Sequence, residues 1–355
     1  MNAILIPAYK PDEKLVGLCE LLLGHEEIEV VVVDDGSGEA YKGVFGALDK
    51  RVHLISYPVN KGKGGALKTG IEYIYNNLPS CERLVTADAD GQHRYEDIQK
   101  VIAKSVECPK ALILGSRRFD EENVPFRSRF GNGMTRAVFR LVSGAKVYDT
   151  QTGLRAFDRE LMKRFMAVKG ERYEYEMNML LEAAKHKIPI LEVTIKTVYL
   201  NENESSHFNP LKDSAKIYYC LLKYFIKFLA SSLFAFCVEY VIVLLLNHFF
   251  VLKGVFGLKT ANTLARIVSA TVNFTVNHTL VFEASEKWWK ALIKYAALAL
   301  VILVLDNYLL EFFHDVVGIK LGLAKPITEI IMFCINFPIQ KRFVYTRQKL
   351  PTKKH

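Results

Sequence analysis

Short apolar runs separated by polar turns fill the first two hundred residues, and long apolar runs fill most of the remainder. Asn2 to Ile6 reads as a strand stopped at Pro7. Leu15, Leu18, Leu21 and Leu22 repeat at helical spacing. Ile28 to Val33 is apolar at every position but Glu29 and rich in β-branched residues, the mark of a parallel sheet covered on both faces. Further strands are expected at Val52 to Ser56, Leu84 to Ala87, Ala111 to Gly115 and Ile190 to Val198. Asp149 to Arg155 reads as a polar turn before another amphipathic helix. Strand and helix alternate, which predicts an open α/β sheet. Ligands of such sheets bind beyond the carboxyl ends of the strands. Pro7 to Tyr9, Asp34-Asp35, Asp88 to Gln92 and Arg117 all fall at such ends.

The second half has a different period. Lys212 to Lys227 alternates lysines with Ile217, Tyr218, Leu221, Leu222 and Phe225 at helical spacing, as suits a helix in a membrane interface. Four apolar stretches follow, at about 224–250, 260–282, 291–313 and 320–342, each near the length that crosses a bilayer core. They form a tandem repeat of two hairpins. Val272-Asn273-Phe274 matches Ile335-Asn336-Phe337, and Val281-Phe282 matches Val344-Tyr345. Lys227-Phe228 precedes Glu239 as Lys294-Tyr295 precedes Asp306. Glu239, Arg266, Asp306 and Glu329 fall inside the spans. A charge at the bilayer centre costs about 2.5–3.5 kcal/mol, so these residues should face one another or a polar cavity, or snorkel from helix ends.

Composition refines this picture. The 355 residues carry a net charge of +9, which by itself would admit nucleic acid. Much of the excess flanks the apolar segments, where lysine and arginine mark the cytoplasmic side, so nucleic acid is not expected as a partner. Lys287, Lys290, Lys294 and the basic end from Lys341 to Lys354 place both termini in the cytoplasm, with the chain a multi-pass plasma-membrane protein. Met1-Asn2 leads straight into a strand, with no pattern of a cleavable signal. The six cysteines form no CxxC pair and read as reduced thiols. The expected domains are 1–210, a linker helix at 211–227, a four-helix membrane domain at 228–346 and a basic tail at 347–355.

The chemistry concentrates at Asp88-Ala89-Asp90-Gly91-Gln92-His93. Alternation along a strand would send Asp88 and Asp90 to one face. Hard oxygens of this kind suit Mg²⁺ or Mn²⁺ shared with phosphates, although an Asp-Gly turn alone explains the same residues. Asn60 to Gly70 is not an ATP P-loop, since Leu67 stands where a glycine must precede the lysine. Its Lys61 and Lys63 face a diphosphate at a helix N-terminus, or the stretch is an ordinary surface loop. Glu171 to Glu176 packs three carboxylates among aromatics, or is a solvated helix start.

Ile6-Pro7-Ala8-Tyr9, Asp34-Asp35-Gly36-Ser37, Asn60-Lys61-Gly62-Lys63-Gly64, Asp88 to His93, Gly115-Ser116-Arg117 and Asp149 to Gly153 occur in the order seen in family 2 glycosyltransferases of the GT-A fold. The first half resembles the dolichol- and polyprenyl-phosphate sugar synthases of that family. The second half resembles the four-span GtrA-like family through Asn273-Phe274 and Asn336-Phe337. The resemblance implies that Pro7, Ala8, Tyr9, Asp35, Lys61, Lys63 and Asp88 hold a UDP- or GDP-linked sugar. It implies that Asp90 and Gln92 hold the metal, and that Arg117, with Arg129 and His207, meets the lipid phosphate, with Asp88, Asp90 and Arg117 catalytic. These synthases carry an arginine and a Ser-Lys where this chain has Asn201 to His207, so that His207 would replace the basic phosphate contact. The chain lacks the Gln-x-x-Arg-Trp signature of processive synthases, which implies single sugar transfer for cell-surface glycans. The membrane half would flip the product or only anchor the enzyme, and a homo-oligomer is compatible with it. The alternative is a transporter whose N-domain senses nucleotide sugar.

Overall fold

The computed structural model describes residues 1–25, 27–117, 126–196, 212–246, 248–249, 254, 258–282, 284 and 286–345. The chain divides into two compact units, Met1–Leu221 and Leu222–His355.

The first unit is built on seven strands: β1 (Asn2–Ala8), β2 (Ile28–Asp34), β3 (His53–Ser56), β4 (Arg83–Thr86), β5 (Leu112–Arg117), β6 (Arg155–Asp158) and β7 (Ile190–Ile195). Among the described residues seven α-helices accompany them: α1 (Lys14–Leu23), α2 (Lys42–Gly46), α3 (Lys63–Asn77), α4 (Tyr95–Glu107), α5 (Phe126–Ser143), α6 (Arg159–Met166) and α7 (Glu174–Lys185). The strands form one sheet in the order β3-β2-β1-β4-β6-β5-β7. Only β6 runs against its neighbours. Register aligns Ala8 with Asp34, Asp34 with Ser56 and Leu5 with Thr86, so these strand ends share one edge.

Alternation along β1, β2 and β4 divides the apolar side chains between two layers. Ile4, Ile6, Val30, Val32 and Val85 pack with Leu15, Leu18 and Leu22 of α1 and with Ile98 and Val101 of α4. Leu5 points to the opposite face and meets α3. A Cβ on Gly70 would lie 2.1 Å from Leu5 Cδ1, so that helix rides on the strand only because residue 70 lacks a side chain.

Two expectations are corrected here. The stretch after Gly153 is not a turn leading directly into a helix, since it first forms β6. That strand is four residues long, too short to display a period, and its reversal lets it fill the gap between β4 and β5. The two aspartates do not converge by strand alternation. β4 ends at Thr86, and a turn with Gly91 at φ 76° places Asp88 and Asp90 beyond it.

Among the described residues four more α-helices follow: α8 (Lys212–Leu246), α9 (Leu258–Val276), α10 (Trp288–Glu311) and α11 (Leu321–Ile339). The expected interfacial segment is continuous with the first apolar stretch in α8. Among the described residues, Phe225–Leu246 alone is long and apolar enough to cross a membrane by length and composition, with a mean hydropathy of 2.3. The repeat is visible in the backbone, because α9 and α11 each continue into a five-residue π-helical turn, at Asn277–Val281 and Gln340–Val344. It is also visible in the core. Phe274 and Phe337, Val281 and Val344, and Phe282 and Tyr345 all lie in one buried cluster with Phe228. Glu239 meets Arg266 at 3.0 Å, the expected facing of charges. The side chains of Asp306 and Glu329 lie outside the described part.

Gly70→Ala should destabilise the protein by about 1–3 kcal/mol, the usual cost of overpacking a filled core. Thermal unfolding checks it, and an unchanged midpoint would mean that Leu5 swings aside.

Candidate active site

The site lies where β1, β2, β4 and β5 end. Asp35 N–H donates to Ala8 O at 2.8 Å and Lys10 N–H to Ser37 Oγ at 2.8 Å, so the first two strand ends are laced together. Gly36 has φ 69°, and a Cβ there would lie 2.5 Å from Asn60 N. The glycine therefore serves both the turn and the close approach of the next loop.

Asp35 is only 2 % exposed. Its Oδ1 accepts from Tyr57 Oη and Lys61 N–H, both at 2.8 Å. Its Oδ2 accepts from Asn60 Nδ2 at 3.0 Å and Gly62 N–H at 2.9 Å. Burial first, and Asp35 second, push the Tyr57 phenol up. The Asp35 carboxylate is thus occupied by the loop that carries Lys61 and Lys63. Lys61 itself is exposed, with Nζ 4.2 Å from the Tyr57 ring centroid.

Lys63 opens α3 and turns inward. Its Nζ lies 2.8 Å from Asp88 Oδ1 and 3.1 Å from Glu176 Oε1. Burial opposes its charge, but Asp88 and Glu176 more than offset that and raise its pKa. The same balance lowers Asp88: burial works against ionisation, and Lys63, His93 and Arg117 together prevail. Asp90 is raised, by burial and then by the Asp88 charge. Its Oδ1 accepts the Gln92 N–H at 3.0 Å. Buried His93 accepts the Asp88 N–H at 3.0 Å on Nδ1, and burial lowers its pKa.

The segment before β6 closes the other side. Arg117 donates through Nε to Asp149 Oδ2 at 2.7 Å and through Nη2 to Oδ1 at 3.1 Å, a bidentate pair on a fully buried carboxylate. Thr152 Oγ1 donates to Gly115 O, and Thr86 Oγ1 to Gly153 O, both at 2.6 Å. These bonds press Gly153 against Asp88, and a Cβ on Gly153 would sit 2.4 Å from Asp88 Oδ2. Arg155, 1 % exposed, ties this turn to α7 by donating to Thr152 O at 3.0 Å and Glu176 O at 2.6 Å. A cleft remains, lined by Asp88, Gln92, Arg117, Gln151, Gly153 and Lys196 among others.

Of the residues expected here, Asp88, Gln92 and Arg117 meet in this cleft and Lys63 is paired to Asp88. Pro7 and Ala8 end β1, and half-buried Tyr9 follows them. Arg129 is exposed on α5, and His207 lies outside the described residues. Three residues were not foreseen as site members. Glu176 belonged to a charge run that also fits a solvated helix start, and its 7 % exposure is the distinguishing fact. His93 and Asp149 stood inside recognised motifs without a role of their own.

Among the described residues no three His, Cys, Asp or Glu side chains gather as a metal cage. Asp90 and Gln92 each carry a hard side-chain oxygen, two positions apart, while Asp88 is engaged by Lys63. Such a sparse donor set fits Mg²⁺ or Mn²⁺, which keep waters and substrate phosphates as their other ligands.

Comparison with known proteins agrees with this architecture. The profile of glycosyl transferase family 2 matches residues 3–166, and that of the GtrA/DPMS transmembrane domain matches residues 227–345. A UDP-N-acetylglucosamine–dolichyl-phosphate N-acetylglucosaminyltransferase of Methanococcus voltae is 32 % identical over 239 residues, 62 % of this chain and 94 % of that one. An uncharacterized protein of Methanocaldococcus jannaschii is 34 % identical over 213 residues, 59 % of this chain and 86 % of that one. The human dolichyl-phosphate beta-glucosyltransferase is 29 % identical over 220 residues, 54 % of this chain and 66 % of that one. The chain belongs to glycosyltransferase family 2 and carries a GtrA/DPMS transmembrane domain. It is a membrane-associated glycosyltransferase whose α/β domain is followed by a helical region.

Gly153→Ala should displace the Asp88 carboxylate and weaken nucleotide binding by about tenfold or more, the equivalent of the usual overpacking strain. Calorimetric titration with UDP and GDP, on protein whose circular dichroism matches the parent, checks this. Unchanged affinity for whichever nucleotide binds would separate Asp88 from nucleotide recognition.

Proposed function

We propose that the protein transfers one sugar from a UDP- or GDP-linked donor to polyprenyl phosphate at the cytoplasmic face of the plasma membrane, with inversion at the anomeric carbon. The observation that carries this reading is the single cleft shared by Asp88, Gln92 and Arg117, with Asp90 beside it. Carboxylates and a guanidinium meeting in one cleft suit a reaction between two anionic phosphates. The Methanococcus voltae relative, matched over nearly its whole length, is named for transfer to dolichyl phosphate and supports the acceptor class.

The acceptor phosphate is already ionised at neutral pH, so its attack on the anomeric carbon requires no strong base. The task of the protein is to bring like charges together. Arg117, its plane fixed by buried Asp149, would grip the acceptor phosphate. Asp90 and Gln92 would hold the divalent ion, whose chemistry is to offset charge on the leaving nucleoside diphosphate. Pro7, Ala8, Tyr9 and Lys61 would bound the nucleotide, with Asp35 acting through the loop it holds. Arg129 and His207 remain candidate contacts for the acceptor phosphate. In the membrane half we propose that Glu239, Arg266, Asp306 and Glu329 serve movement of the lipid-linked product.

Purified protein in bilayers, given radiolabelled UDP- and GDP-sugars and polyprenyl phosphate, should form an acid-labile lipid product that chelator abolishes. Asp90→Ala should cut that rate by at least about a hundredfold, the scale of losing one charge-stabilising group. Full transfer by this variant with added Mn²⁺ would refute the metal role, and no product from any donor would refute the reaction. Replacing Glu239 and Asp306 by leucine should leave synthesis intact and abolish translocation across proteoliposomes. Intact translocation would reduce the membrane half to an anchor.

A further inference from the structure

Lys63 is held from several sides. Asp35 fixes the two residues before it through the Lys61 and Gly62 backbone N–H groups. The glycine after it lies against α7, since a Cβ on Gly64 would be 2.5 Å from Tyr175 Cβ and 2.8 Å from Arg172 O. Gly65 N–H donates to Glu171 O at 2.9 Å, closing the same contact. A lysine on so constrained a stem delivers its ammonium to one place, and that place lies between Asp88 and Glu176.

The acids there need a cation. Asp88 and Glu176 share Lys63, and Asp90 feels the Asp88 charge. Carboxylates this close repel unless a positive charge lies among them. Lys63 supplies that charge from within the chain. It thereby occupies an oxygen of Asp88, whose charge Asp90 feels, and a divalent ion entering at Asp90 meets a like charge.

We infer that Lys63 is a built-in counter-cation that competes with the divalent ion, so that the ion binds together with the nucleotide diphosphate and only weakly without it. The inference rests on the proposed ion site at Asp90 and Gln92. An arriving diphosphate brings negative charge for both cations and gives the ammonium an anionic partner besides Asp88 and Glu176. The structure thus sets an order of binding, in which the carboxylates are not open to a free ion.

The test is Mn²⁺ affinity, read by electron paramagnetic resonance of the full-length protein in detergent, with and without UDP or GDP. The parent should bind Mn²⁺ weakly alone and about tenfold or more tighter with its nucleotide, the scale expected from one contact charge at a half-buried site. Lys63→Met should bind Mn²⁺ alone about tenfold or more tighter than the parent does, by the same electrostatic argument, and gain less from nucleotide. Lys63→Arg, which keeps the charge, should resemble the parent. Should Lys63→Met fold poorly, Lys63→Met with Glu176→Gln removes one charge of each sign and should still show tighter Mn²⁺ binding alone. Equal or weaker Mn²⁺ binding by the methionine variants, with the parent binding Mn²⁺ and nucleotide together, would overturn the counter-cation role. Absence of Mn²⁺ binding in the parent even with nucleotide would overturn the ion site itself, and the inference with it.

Discussion

A carboxylate withdrawn from water must be fully hydrogen-bonded or paired, and Asp35 shows how much of this catalytic domain depends on that rule. Four donors from one short loop converge on its two oxygens. Losing them would strand a buried charge, so the loop and the strand end move together or not at all. Lys63 starts its helix from this fixed point, and through Lys63 the constraint reaches Asp88 and Glu176. The acids of the site therefore stand in one connected frame, although they come from distant parts of the chain.

The opposite wall obeys the same rule with different groups. Asp149 is wholly buried and is satisfied by the Arg117 fork and by the Gln151 N–H at 3.0 Å. Glu192 of β7 accepts from the Tyr148 and Asp149 N–H groups. Threonine hydroxyls then stitch the turn to the strand ends on both sides. Rigidity here comes from polar satisfaction, because the carboxyl edge of a sheet has little apolar surface to bury.

Sequence pattern made much of this legible. Six of the seven strands announced themselves as apolar runs, and the loops at their ends held the chemistry, as an open α/β sheet requires. Strand β6 did not, since four residues carry no period and its antiparallel setting is a tertiary outcome. The pairing of Lys63 with Glu176 was hidden for a related reason. The two residues are far apart in sequence, and nothing local separates a buried glutamate from a solvated one. Asp35 was legible as a site residue, but its saturation by a neighbouring loop was not. In the helical region the repeat could be read directly, because the equivalent aromatics keep their spacing.

That repeat has one further consequence. Ser231 Oγ donates to buried Asn277 Oδ1 at 2.5 Å, and Asn277 Nδ2 donates to Asn273 Oδ1 at 2.6 Å. The second hairpin places Leu298 where Ser231 stands and Gln340 where Asn277 stands, and Gln340 Oε1 has no hydrogen-bond partner among the described residues. Tyr295 and Tyr345 replace Phe228 and Phe282. A duplicated hairpin that kept its aromatic scaffold has thus lost its interchangeability. Two identical subunits would have to carry the same side chain at both positions, whereas one chain is free to specialise each copy.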